Sequence, residues 1–115
     1  MTFNINFKAS LAALLLAASL PAMAATTSVK VTVNGMVCAF CAQGIEKRLG
    51  KMDATQAVFV DLKNKTVAVQ AKEGRTLDGK AISAEIVDAG YDVVKLETVP
   101  RSVAEIRAEL KGKGQ

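Results

Sequence analysis

Histidine and tryptophan are absent from this 115-residue chain, which has one tyrosine and two cysteines. Without histidine, no imidazole can act as metal ligand, general base or proton shuttle. With so few aromatic rings there is no platform on which nucleobases could stack. The basic residues (Lys30, Lys47, Arg48, Lys51, Lys63, Lys65, Lys72, Arg75) are scattered rather than run together. That pattern describes a solvated surface, not a nucleic-acid footprint. No G-x-S-x-G elbow and no phosphate-cradling glycine loop occurs, so hydrolytic and phosphoryl-transfer chemistry lack their apparatus. Beyond Ala25 there is no internal repeat and no low-complexity stretch.

Charge is modest too: 15 lysines and arginines stand against 11 acidic residues, a formal +4. A field that weak sets no fold, though it favours encounter with an acidic partner. The chain is long enough for one domain and too short for two. Its first residues read as a leader. Lys8 closes a short basic start, an uncharged apolar run spans Ala9 to Leu20, Pro21 follows, and Ala22-Met23-Ala24 has the A-x-A form of a cleavage site. The rival reading is a membrane anchor. The run falls short of the ~20 apolar residues that a spanning helix needs. Cleavage after Ala24, export to the periplasm and no stable membrane insertion are therefore expected. Residues 1–24 are assigned to the signal peptide, 28–97 to the domain and 98–115 to a C-terminal helical tail.

Past the leader the hydrophobic period changes element by element. Ser28 to Asn34 alternates strictly, with Val29, Val31 and Val33 on one side, and predicts a half-buried strand. From Cys41 the spacing of Ile45, Leu49 and Met52 is helical, and Gly50 marks the end. Ala57–Leu62 and Thr66–Gln70 read as strands joined by the polar link Lys63-Asn64-Lys65, a hairpin. Asp78 is placed as the N-cap of a helix carrying Ile82, Ile86 and Ala89, which Gly90 ends. Tyr91–Leu96 is the last strand. The order β-α-β-β-α-β predicts an α+β, ferredoxin-like sandwich: a four-stranded antiparallel sheet with two helices on one face. The expected core is Val31, Val33, Ile45, Leu49, Val58, Val60, Val67, Val69, Ile82, Ile86 and Leu96. After Pro100, the spacing of Val103, Ile106 and Leu110 predicts a short C-terminal helix, packed on the domain or serving as a docking element.

Both cysteines lie in Gly35-Met36-Val37-Cys38-Ala39-Phe40-Cys41, directly after the first strand. Two thiolates on a short loop suit a soft ion such as Cu(I). The same softness extends to Hg(II) and Ag(I), and two sulfurs alone favour a near-linear site. Structural zinc takes four ligands, which one chain lacks, so zinc would require four cysteines from two chains. An exported chain meets oxidising conditions, yet a disulfide closing so short a loop removes little chain entropy and is a poor staple. With Cys41 at the helix start, the helix dipole and free amides would favour its thiolate.

The stretch Gly35-Met36-Val37-Cys38-Ala39-Phe40-Cys41 resembles the G-M-x-C-x-x-C motif of heavy-metal-associated domains. The helix with Ile45 and Leu49, the hairpin ending in Lys65–Val69, and Asp88-Ala89-Gly90-Tyr91 also resemble that family, and the likeness runs from about Ser28 to Glu97. With its leader and single domain, the layout is similar to periplasmic mercuric-ion-binding proteins and to periplasmic copper carriers. The resemblance implies a metallochaperone or scavenger, not an enzyme. One soft ion per chain, Cu(I) or Hg(II), would lie between Cys38 and Cys41, and a monomer would pass it to a membrane transporter or another thiol-containing acceptor. It also implies that Met36 is buried beneath the loop and that Tyr91 lies near it, either shaping the site or packing the strand start. Phe40 either shields the metal or forms part of a docking surface.

Two other functions use the same cysteines. One is a thiol–disulfide oxidoreductase. Against it stand the strand–helix order and the lack of a proline opposite the cysteines, since Pro100 lies outside the core. The other is an interaction module whose cysteines sense redox state.

Overall fold

A computed structural model describes residues 26–113, with the side chain of Lys113 excepted. The expected leader, residues 1–24, and its expected cleavage site lie outside the described residues. The elements are β1 (Ser28–Asn34), α1 (Ala39–Gly50), β2 (Thr55–Asp61), β3 (Thr66–Ala71), α2 (Gly79–Asp88), β4 (Asp92–Val99) and α3 (Val103–Lys113). The strands form one antiparallel sheet in the order β2-β3-β1-β4. This is the expected ferredoxin-like topology, with β1 and β3 at the centre.

Alternation along the central strands decides which residues meet the helices. Val29, Val31 and Val33 of β1 and Val67 and Val69 of β3 point to one face. There they pack with Ile45 and Leu49 of α1 and Ile82 and Ile86 of α2 in a single buried cluster. Val58, Val60 and Leu96, expected in the core, are only partly buried. They sit on β2 and β4, the two edges of the sheet, where an apolar side chain has neighbours on one flank only. Asp78 caps α2 as expected, accepting the Lys80 N–H at 2.9 Å. The hairpin turn is held by Asp61, which accepts the Asn64 backbone N–H at 3.0 Å and its side-chain amide at 2.8 Å.

Two strands run longer than their hydrophobic pattern suggested. β2 starts at Thr55, and β4 continues to Val99, paired with Ser28 of β1. The second face of the sheet is covered by α3, and the Val99 extension of β4 packs there. Ile106 and Leu110 of α3 are buried with Ala68 and Val99, and Phe59 and Val103 pack around them. The sheet is thus a middle layer, with α1 and α2 on one side and α3 on the other.

Polar contacts fix α3 in place. Ser102 and Glu105 form a capping box: the Glu105 N–H donates to Ser102 Oγ at 3.1 Å, and the Ser102 N–H donates to Glu105 Oε2 at 2.9 Å. The Val103 N–H donates to Gln70 Oε1 at 3.0 Å, and the fully buried Ser28 donates its hydroxyl to the Arg101 carbonyl at 2.6 Å. Glu109 pairs with Arg101 and lies 3.9 Å from Lys30 Nζ, while the Arg107 guanidinium stacks 4.8 Å above the Phe59 ring.

Because Ile106 is fully buried against the sheet, Ile106→Ala is expected to cost about 2–4 kcal/mol. Urea unfolding checks this. A loss below about 0.5 kcal/mol, the range of ordinary surface substitutions, would mean that α3 is not part of the folding unit.

Candidate metal centre

The cysteine loop is built by a short passage from β1 to α1. Gly35 has φ +92°, a left-handed conformation open to glycine but strained for other residues. A Cβ placed there would also meet Tyr91 Cδ1 at 3.5 Å. Met36 then turns inward, 2% exposed and part of the main core. Its neighbours turn outward: Val37 is 86% exposed and Phe40 84%. One buried thioether thus pins a loop whose other side chains face solvent.

Cys38 and Cys41 are brought together, with a Cα–Cα distance of 5.2 Å, and are joined as a disulfide. That spacing falls within the ordinary range for bridged pairs. Cys38 is exposed, whereas Cys41 is partly buried against the core. Among the described residues, no group of three or more His, Cys, Asp or Glu side chains could hold a metal. The donor set available there is two sulfurs from one chain, the set that soft ions accept.

The helix start differs from the sequence reading. α1 begins at Ala39, and Cys38 is its N-cap with extended backbone (φ −132°, ψ 154°). Cys38 Sγ accepts the Cys41 N–H at 3.2 Å, and the Ala42 N–H donates to the Cys38 carbonyl at 3.2 Å. An N-cap side chain normally supplies an oxygen for an orphan amide; here a sulfur does so. Cys38 thus holds the capping position that the sequence reading did not assign, and Cys41 follows within the first turn of α1. A cysteine immediately before the helical run was the available signal.

The structure places Tyr91 beside the loop, partly buried against the core and near Gly35. Phe40 stands out in solvent. Together they border a groove of about 250 Å3 that Cys41, Gly44, Ile45, Arg48, Asp88 and Ala89 also line. Sequence reasoning missed this feature. Arg48 and Asp88 belong to different helices separated by the β2–β3 hairpin, and no local spacing links them.

A family model described as the heavy-metal-associated domain matches residues 30–92, more than half of the chain. The chain is 36% identical over 63 residues to the copper chaperone CopZ of Bacillus subtilis, covering 55% of this chain and 90% of that protein. It is 32% identical over 83 residues to a probable copper-exporting P-type ATPase of Archaeoglobus fulgidus, covering 72% of this chain but 10% of the ATPase. Among solved structures, oxidized MerP from Ralstonia metallidurans CH34 matches with a TM-score of 0.52 and 26% identity, covering 62% of this chain and all of that one.

The exposed, amide-bonded Cys38 and the half-buried Cys41 should differ in reactivity once the disulfide is opened. Iodoacetamide is expected to modify Cys38 several-fold faster than Cys41 at neutral pH. Fragment-ion mapping of partly alkylated chain reads the ratio. Equal rates, or faster reaction at Cys41, would contradict the capping geometry.

Proposed function

The chain belongs to the heavy-metal-associated domain family, and from that premise we propose that it carries a soft metal ion, Cu(I) or Hg(II), in the periplasm. The observation that carries this reading is the pair of sulfurs on a loop pinned by Met36 and open to solvent on its outer side. In the dithiol state, two thiolates would hold the ion with low coordination. An exposed ion with two ligands is open to attack by a third thiol. That favours transfer by ligand exchange, through three-coordinate intermediates, over storage.

Cu(I) is the first candidate, because the curated relatives at 32% and 36% identity are named for copper. Hg(II) is the second, supported by the softness of the donor set and by the likeness to MerP. The acceptor we propose is a thiol-bearing domain of a membrane transporter. The similarity over 83 residues to part of a probable copper-exporting P-type ATPase supports it. Val37 and Phe40, both large, apolar and exposed beside Cys38, suit the contact with such a partner. The periplasmic assignment rests on the leader pattern of residues 1–24.

The oxidoreductase reading is less favoured. It would need a thioredoxin-like strand order, and the sheet here has the β2-β3-β1-β4 order of the metal-binding family.

The decisive experiment is an anaerobic titration of the phosphine-reduced chain with Cu(I), Hg(II) and Zn(II) against calibrated chelators. One soft ion per chain is expected to bind, Zn(II) far more weakly, and either Cys38→Ser or Cys41→Ser should abolish tight binding. The disulfide form should bind none, because both donors are consumed. Binding indifferent to the cysteines would overturn the proposal. Separately, the double substitution Val37→Ala and Phe40→Ala should leave metal affinity unchanged but weaken docking by about 1 kcal/mol or more. Stopped-flow transfer to a dithiol acceptor domain would then slow by about fivefold.

A further inference from the structure

The groove beside Cys41 carries opposite charges on its walls. Arg48 of α1 and Asp88 at the end of α2 both line it, with Phe40 and Tyr91. Arg48 Nη1 lies 3.2 Å from Glu85 Oε2, in an ion pair whose side chains are 45% and 39% exposed. Such exposed pairs exchange partners at little cost. At Gly44 an added Cβ would meet nothing within 4 Å, so the α1 side of the groove is open. The volume, about 250 Å3, falls below that of a typical drug-sized site and suits a ligand the size of one amino acid. A cation and an anion facing one small space match a zwitterion. The cysteine that lines this space is Cys41, and Cys38 is not among its lining residues.

We propose that the groove binds a small zwitterionic aminothiol of the cysteine type, which opens the Cys38–Cys41 disulfide from the Cys41 side. Its carboxylate meets the Arg48 guanidinium and its ammonium meets the Asp88 carboxylate. Its thiol loses a proton to solvent, and the thiolate attacks Cys41 Sγ. The Cys38–Cys41 S–S bond breaks, and its electron pair leaves on Cys38 Sγ, where the Cys41 N–H already donates at 3.2 Å. A second aminothiol then attacks the ligand's own sulfur in the mixed disulfide. This step releases the Cys41 thiolate and the disulfide of the two aminothiols. Two small thiols are oxidised for each protein disulfide reduced. A thiol without charges has no reason to enter the groove and meets the exposed Cys38 first. The biological consequence rests on the metal-carrier reading: both donor sulfurs are locked in the disulfide, so the aminothiol would control when the chain can load.

The test uses the oxidised full chain without metal. L-cysteine, cysteamine, 3-mercaptopropionate and 2-mercaptoethanol are compared at matched thiolate concentration, with quench alkylation and mass spectrometry as the readout. Cysteine should reduce the chain at least about threefold faster than 2-mercaptoethanol, as an exposed charge pair allows, and with saturation. Its intermediate should map to Cys41. Arg48→Gln and Asp88→Asn should each diminish that advantage and leave the 2-mercaptoethanol rate unchanged. Glu85→Gln breaks the ion pair but keeps the groove charges, and should not lower the cysteine rate. Equal rates among the four thiols, an adduct on Cys38, or an advantage that survives both groove substitutions would overturn the proposal. The comparison among thiols on the unaltered chain holds even if a variant folds poorly. Metal binding by phosphine-reduced chain requires no aminothiol, so failure here and failure of the carrier reading are read apart.

Discussion

The burial of Met36 is the constraint on which the site depends. Between Asn34, the end of β1, and Ala39, the start of α1, the chain must leave a strand, reverse its side-chain facing and enter a helix. Gly35 supplies the left-handed turn, and Met36 fills core space next to residues from both helices and the sheet. Once that side chain is inside, Val37, Cys38 and Phe40 face solvent. Cys41 comes round on the first turn of α1, close enough to share a ligand or a bond with Cys38. An unbranched, adaptable side chain suits this role, because it tolerates an irregular cavity at the junction of three elements.

The scaffold beneath the loop is a sheet buried on both sides at its centre. One face is a continuous aliphatic cluster from β1, β3, α1 and α2. The other is smaller, built around Ala68, Val99, Ile106 and Leu110, and rimmed by Ser28, Lys30, Gln70, Arg101 and Glu109. With α3 seated there, little apolar sheet surface is left for a partner. The large exposed apolar side chains among the described residues are Val37, Phe40, Val87 and Val94, and two of them flank Cys38. Two of these four exposed apolar side chains thus lie beside the sulfurs, where a transfer partner would have to approach.

The disulfide and the carrier reading belong together. The bond closes a short loop and adds little to stability, so its formation and opening bear on metal access more than on folding. The geometry also divides the two cysteines. Cys38 has the solvent and the helix amide, whereas Cys41 has the core and the charged groove. A symmetric motif in the sequence becomes two chemically distinct sulfurs in the fold.

Much of this protein was legible in its residues. The period-2 run of Val29, Val31 and Val33, the helical spacing of Ile45 and Leu49, the Lys63–Lys65 link and the Asp78 cap are local signals, each set by backbone geometry within a few residues. They sufficed for the topology, and the G-M-x-C-x-x-C stretch sufficed to single out the two cysteines. Three things required the third dimension. Val58, Val60 and Leu96 look like core residues in sequence, but edge positions leave them partly exposed, because strand order and not hydropathy determines how many neighbours a strand has. The capping role of Cys38 depends on where the first helical hydrogen bonds form. The groove depends on α1 and α2 lying side by side, since Arg48 and Asp88 share no period and no motif. The sequence by itself determined the elements, their order and the two sulfurs; tertiary packing alone decided how deeply the edge strands are buried and what lines the space beside Cys41, because both follow from contacts between segments far apart in the chain.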